Sequence, residues 1–151
     1  MLSELIYHSH FVPGQQGALS VVRHIIETSE INNSRDRITG FLIFDKLNFV
    51  QVLEGEQPVV EATYDRIVKD KRHDGLTLID TRQVNTRAFP DWSMGGFIRS
   101  AEVTDIYTRH DLSGQMEPEK LDADKVVALA RDLLAFEQAR QDQRTINLMS
   151  R

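Results

Sequence analysis

The chain has 151 residues, enough for one domain with a real core and a small C-terminal appendage, but too few for a separate output domain. Its 18 basic and 23 acidic residues give a formal net charge of −5 with no dense basic stripe, which argues against nucleic acid as a direct partner. The lack of cysteine excludes disulfides, thiolate nucleophiles and thiolate metal sites; no stretch approaches the roughly 18–20 apolar residues of a membrane span, so a soluble cytoplasmic protein is expected.

Leu5-Ile6-Tyr7-His8-Ser9 reads as a first strand, followed by a loop with Pro13, Gly14 and Gly17. A helix is expected from about Ala18 to Asn33, with Val22, Ile26, Ser29 and Asn33 along a face that begins apolar and ends polar. Residues 38–44 and 49–53 form two strands joined by Asp45-Lys46-Leu47-Asn48, a hairpin whose apolar residues on both faces call for cover on both sides. Pro58 opens a second helix to about Asp70, with Val60, Tyr64 and Ile67 as its core row. Gly75 releases the chain into a fourth strand, residues 76–84, and after a loop over 85–91 a fifth strand is expected from Trp92 to Ile98. The order β-α-β-β-α-β-β defines an α+β, ferredoxin-like fold with an added strand and a mixed sheet. Beyond Ser100 come a short helix around Glu102 to Tyr107, a loop with Gly114 and Pro118, and a longer helix capped by Asp122. The stripe Val126, Leu129, Ala130, Leu133 and Phe136 suits the open face of the sheet, and the polar tail from Gln138 is expected to fray.

Within this frame Gln51 stands out. Phe49, Gln51 and Leu53 share one face of their strand, so a carboxamide sits in an apolar row. An unpaired buried amide costs roughly 1–3 kcal/mol, so Gln51 needs polar partners: either the protein's own backbone or a ligand. Tyr7, on a strand central in this topology, and Asn33, ending the first helix, lie within reach of the same gap between the two helices. A phenol and two amides around an apolar slot suit a flat heterocycle with donors and acceptors on its rim.

The fragments Leu5-Ile6-Tyr7-His8-Ser9, Asn32-Asn33 with Ile38-Thr39-Gly40, Phe49-Val50-Gln51-Val52-Leu53-Glu54-Gly55, Asp65-Arg66-Ile67 with Arg72-His73, and Phe89-Pro90-Asp91-Trp92-Ser93-Met94 together resemble the BLUF domains, blue-light sensors that use a flavin. The resemblance covers roughly residues 3–98, leaving 99–138 as a C-terminal helical extension and 139–151 as a polar tail. It implies a noncovalently held flavin between the two helices: FAD, with FMN or riboflavin as alternatives. By resemblance Tyr7 bonds Gln51, which contacts the ring; Asn33 and Asn32 bind its pyrimidine edge; and light makes Tyr7 yield an electron and a proton, leaving Gln51 reoriented or tautomerised.

The resemblance also assigns Met94 and Trp92 to signal relay on the fifth strand, and Arg66, Asp70 and His73 to the cofactor's ribityl and phosphate groups. Read from spacing alone, these last three follow Thr63 on one face of helix two, with an Arg66–Asp70 ion pair as the plain alternative. Ile25 and Ile67 supply apolar walls. Short family members carry no attached enzyme, so a nonenzymatic, homo-oligomeric regulator acting on a separate signalling protein is expected. Ile31 before the Asn pair and Gly95-Gly96 after Met94 depart from the family pattern, the glycines bearing on signal output.

Other functions fit less well. An acyl-phosphate hydrolase of the same fold needs a basic group after the first strand, where this chain has His10, Gln15 and Gln16. No phosphate loop, nucleophile–base pair or dinucleotide fingerprint occurs, and His8, His10 and His24 are not spaced as a metal site. A flavin-dependent oxidoreductase and a light-independent adaptor remain the alternatives.

Overall fold

In the computed structural model, residues 1–12, 14, 17–114 and 116–149 are described; Pro13, Gln15, Gln16 and the last two tail positions, all named above, lie outside them. The chain runs β1 (Leu2–Phe11), α1 (Ala18–Asp36), β2 (Thr39–Asp45), β3 (Asn48–Glu56), α2 (Gln57–Val68), β4 (His73–Gln83), β5 (Gly95–Ile98), α3 (Thr104–Arg109) and α4 (Ala123–Met149), with 3-10 turns at Ala101–Val103 and Pro118–Lys120. The five strands form one mixed sheet in the order β4-β1-β3-β2-β5. The first four are antiparallel to their neighbours, and β5 adds in parallel to β2. This is the ferredoxin-like α+β sheet with a fifth strand on its edge.

Strand alternation divides the molecule into two cores. Leu5, Tyr7, Phe49 and Leu53 turn toward α1 and α2, where Val21, Val22 and Val60 close over them. Ile6, Val50, Val52, Phe41 and Ile43 turn the other way, under Ile106 and Tyr107 of α3 and Val126, Leu129, Ala130 and Leu133 of α4. The expected α4 stripe thus covers the second face, and Asp122 caps that helix by accepting the Lys125 N–H at 2.8 Å.

Glycine is required where β2 meets β3. A Cβ on Gly40 would lie 2.0 Å from the Val52 carbonyl oxygen, a backbone atom that cannot step aside. The Gly40 N–H instead donates to Trp92 O at 2.9 Å, tying the segment before β5 to the start of β2.

Four expectations change. The fifth strand begins at Gly95, so Trp92 and Met94 belong to the turn that delivers the chain to the sheet edge. Helix α2 ends at Val68, which puts Asp70 in a turn and His73 at the start of β4, off the helical face assigned to them. The Arg66–Asp70 pair is absent because Arg72, two residues on, takes the Asp70 carboxylate with its backbone N–H and its guanidinium, while Arg66 faces Asp36 at 3.4 Å. Finally, α4 runs through the polar tail to Met149, its exposed turns linked by Gln141–Glu137 and Gln143–Asn147 side-chain bonds.

Candidate functional site

Between α1 and α2 lies a cleft of about 200 Å³ floored by the sheet. Its walls are apolar: Ile25 from α1, Ile67 at the end of α2, and Leu42, Phe49 and Leu53 from the strands. Polar groups gather at two places, Tyr7, Gln51, Asn32 and Asn33 inside and Arg66, Asp70, Arg72 and His73 at the mouth.

Tyr7 and Gln51 are direct register partners on β1 and β3, so sheet pairing itself sets them side by side. The Tyr7 hydroxyl donates to Gln51 Oε1 at 2.5 Å. Tyr7 also packs against Tyr64, with ring centroids 5.7 Å apart, and meets His73 edge-on at 6.2 Å. Burial, reinforced by Tyr64 and Asp70, pushes the phenol well above its ordinary pKa, so it remains a neutral donor.

The other end of the Gln51 amide reaches Met94, with Nε2 3.3 Å from Sδ. A thioether accepts weakly and cannot donate. The contact therefore favours the orientation that places NH₂ at sulfur and C=O at the phenol; exchanging the ends would leave the carboxamide oxygen facing sulfur without a donor. Met94 is 1% exposed and packs in the α1/α2 core, whereas Trp92 is half-buried against the α3/α4 core. Two residues apart, they lie on opposite sides of the sheet edge.

Asn33 is placed by the way α1 stops. Arg37 takes a left-handed conformation, with φ 58°, and its N–H returns to the Asn33 carbonyl, as does the Ile38 N–H at 2.9 Å. The Asn33 side chain, buried at the cleft, donates to Ser93 O at 2.9 Å, holding the residue next to Met94. Asn32 lines the cleft beside it, half-buried.

At the mouth, His73 Nε2 lies 2.7 Å from Ile67 O and its Nδ1 2.8 Å from Ser9 Oγ. A carbonyl only accepts, so in the neutral ring Nε2 carries the proton and Nδ1 accepts from the Ser9 hydroxyl. The Arg72 hydrogen bonds hold the Asp70 carboxyl below the usual carboxylate range. Arg66 is mostly exposed and uses Nη2 for both Asp36 and Thr63 Oγ1, the latter at 3.2 Å, so Nη1 and Nε are the groups that can turn to an anion at the mouth.

Every residue expected at the site except Trp92 and Met94 lines this one cleft, and Met94 touches Gln51 from its edge. Reading the sequence for side chains missed Ser93, whose contribution is a backbone carbonyl, and passed over Arg72. The signal for Arg72 was its place two residues after Asp70, close enough to capture that carboxylate across a turn.

An apolar slot with amides on its inner rim and cations at its mouth suits a planar heterocycle carrying an anionic tail, and the donor set fits a flavin on those terms. Fold and site together define a heterocycle-binding sensor domain built around a phenol–carboxamide–thioether array. The chain belongs to the BLUF family, sensors of blue-light using FAD, whose family model matches residues 2–95.

Its relatives include the blue light- and temperature-regulated antirepressor BluF of Escherichia coli (strain K12), 32% identical over 73 residues, which are 48% of this chain and 18% of that protein. A second is the photoactivated adenylate cyclase subunit beta of Euglena gracilis, 34% identical over 71 residues, 46% of this chain and 8% of that one. The chain thus spans less than a fifth of the length of these curated relatives. Among solved structures, BlsA in its photo-activated state superposes with a TM-score of 0.78 at 27% identity, covering 89% of this chain and 95% of that one.

Proposed function

We propose that the chain is a nonenzymatic blue-light photoreceptor that holds FAD noncovalently in the α1/α2 cleft and signals to a separate protein through a Tyr7–Gln51 switch. The observation that carries this reading is the 2.5 Å bond from the Tyr7 hydroxyl to Gln51 Oε1, with Gln51 Nε2 resting on Met94. Flavin, when bound, supplies blue-light absorption and an excited state that oxidises a nearby phenol.

The rest of the task falls to the protein. Ile25 and Ile67 wall the ring slot and exclude water; Asn32 and Asn33 hold the ring's polar edge. Arg66 orients the tail, Asp70 sets the position of Arg72, and His73, held through both ring nitrogens by Ile67 O and Ser9, offers the tail only its ring face and edge. Tyr7 holds its proton firmly in the dark because burial disfavours the phenolate. Once its ring gives up an electron, that proton becomes labile and has a short path to the Gln51 carbonyl oxygen. Return of the electron and the proton restores the neutral phenol, and the amide settles with its ends exchanged or as the tautomer, two states of equal net charge but different hydrogen-bond pattern.

The exchanged state loses the Nε2···Sδ contact, so Met94 is the first residue outside the pair to register the change, and Trp92 carries it toward α4. On this reading residues 3–98 are the light-sensing unit, 99–138 the extension that carries output, and 139–151 a polar tail that is helical as far as Met149. Cytoplasmic location and homo-oligomerisation complete the proposal. Among the described residues no helix is long and apolar enough to cross a membrane, and no group of three His, Asp or Glu could hold a metal ion.

The deciding experiment is the visible spectrum of the protein loaded with FAD, recorded in darkness, under blue light and during recovery. A flavin spectrum that shifts slightly to the red and returns without bleaching supports the switch. Persistent bleaching favours the oxidoreductase reading, and failure to take up any flavin favours the adaptor.

A further inference from the structure

We infer that the face of the sheet opposite the α1/α2 cleft carries a second binding site, for a phosphorylated small molecule with an apolar body, in a trough between α4 and the loop from Gln83 to Trp92. This inference stands independently of the flavin reading.

The trough has two parts. The first is a cleft of about 420 Å³ beside the start of β1 and the end of β4, with Glu4, Arg82, Arg87, Val127 and Arg131 in its walls. The second, of about 240 Å³, is bounded by Pro90, Trp92, Leu134 and Ala135. Ala88 and Arg131 line both, so the two parts adjoin. Helix α4 forms its wall by periodicity. Val127, Arg131, Leu134 and Ala135 recur at helical spacing beside the stripe Val126, Leu129, Ala130 and Leu133 that anchors the helix in the core. One stripe holds the helix down, and its neighbour is left facing the loop.

Three guanidinium groups reach the first part from three elements: β4, the loop and α4. They are unequally engaged. Arg82 gives Nε to Glu4 Oε1 at 2.7 Å and Nη1 to Asp124 Oδ1 at 2.8 Å, so its charge is matched by carboxylates and the buried Glu4 is matched in return. Arg87 bonds three neutral oxygens: Nη1 lies 2.8 Å from Thr39 Oγ1 and 3.0 Å from Glu54 O, and Nη2 lies 2.8 Å from Arg37 O. These contacts fix the plane of its fork without neutralising it. Arg131 is exposed on α4 and has no carboxylate partner among the described residues.

Two guanidinium groups without a carboxylate therefore face one cleft, one of them held rigid. Phosphate oxygens match such planar forks and form strong charge-assisted bonds with them. The first part also exceeds the α1/α2 cleft of about 200 Å³, so it holds a phosphate with room to spare. Beyond Arg131 the surface turns apolar, with half-buried Trp92 and Leu134 beside Pro90 and Ala135. A ligand seated with its phosphate on Arg87 and Arg131 would lay a ring or short hydrocarbon there.

The test is isothermal calorimetry of FAD-loaded protein, freed of excess cofactor, with inorganic phosphate, phenyl phosphate and benzoate as titrants. Phenyl phosphate is expected to bind with a Kd on the order of 0.1–1 mM. It should bind about fivefold more tightly than inorganic phosphate, because its ring leaves water, and more tightly than benzoate, which brings a single charge. Arg131→Gln, at an exposed position, should weaken phenyl phosphate about tenfold through the loss of a charge-assisted bond. Ala135→Gln should remove the gain from the ring and leave inorganic phosphate as it was. No binding of phenyl phosphate up to about 10 mM, or equal binding by the wild type and Arg131→Gln, overturns the site. Benzoate binding as tightly as phenyl phosphate overturns the choice of ligand. Arg66→Gln reports on the mouth of the α1/α2 cleft: binding lost in that variant and kept in Arg131→Gln puts the anion at the mouth and likewise overturns the second site. If the chain takes up no FAD, the flavin reading fails and the same titrations on the flavin-free protein decide this one.

Discussion

The Tyr7–Gln51 bond predicts a specific pattern of non-additivity. Tyr7 and Gln51 are 4% and 3% exposed, too little for water to replace a lost partner. Tyr7→Phe leaves Gln51 Oε1 buried without its donor, and Gln51→Leu leaves the phenol without its acceptor; each is expected to lower stability by about 1–3 kcal/mol. The double variant removes both groups, so neither remains orphaned, and it should be destabilised by little more than one single variant. The interaction energy is then about 1–2 kcal/mol, within the range of buried polar pairs measured by such cycles. Urea unfolding of the four proteins in darkness at saturating FAD measures it. The same samples under blue light give the chemistry: Tyr7→Phe should keep its flavin and lose the reversible red shift, and Gln51→Leu should likewise bind flavin without the ordinary shift. Additive destabilisation would show that the two groups do not depend on each other. A normal shift in Tyr7→Phe would remove the phenol from the switch.

Glu54, fully buried on β3, accepts from Thr39 Oγ1, Ala88 N and Phe89 N, and so anchors the loop leading to Met94. Glu54→Gln turns an amide NH₂ toward a backbone N–H and should cost about 2 kcal/mol, with the emission of the lone Trp92 moving to longer wavelength. His8 shows a different dependence: its Nε2 sits 3.1 Å from Asn48 Oδ1, and burial, then nearby His10, hold its pKa below the ordinary range. The unfolded chain therefore binds the extra proton first, and folding stability should fall as pH drops below about 6.5, with a flatter slope in His8→Gln followed by urea titration at each pH. Gly40→Ala should abolish soluble folded protein, because its Cβ would lie 2.0 Å from Val52 O. Gly96→Ala meets only the mobile end of Ile26, at 2.5 Å, and adding Ile26→Val should restore its thermal midpoint.

The hairpin and the facing of Tyr7 and Gln51 were legible in the sequence because alternation in an apolar strand leaves little choice of register: a slip of one residue would bury the wrong set on both faces. The end of α2 was not. Thr63, Arg66, Asp70 and His73 continue a helical spacing that the backbone abandons after Val68, and what ends it is the turn held by Arg72 on Asp70, an interaction without periodicity. The start of β5 was hidden for a related reason: Trp92 and Met94 look like strand residues, but Asn33 draws the Ser93 carbonyl toward α1 and the chain reaches the sheet only at the glycines. The continuation of α4 to Met149 depends on local side-chain pairs rather than an apolar stripe, so a reading built on hydrophobic pattern stopped at Phe136. Arg66 shows the limit for the site itself, since its partner Asp36 lies 30 residues away.

The sheet that separates the two cores also acts as a partition. Tyr7 and His8 are neighbours in the chain yet belong to different interiors, and the wall between them is the stiff, doubly covered middle of β1 and β3. The two interiors meet only around the edges of this wall, β4 on one side and the much shorter β5 on the other. Such a layout seats the C-terminal helices on one interior and the light-absorbing cleft on the other, so a set of helices with a similar apolar footprint could replace them without touching the cleft. It makes this chain a natural chassis for grafting new outputs onto an existing photochemistry.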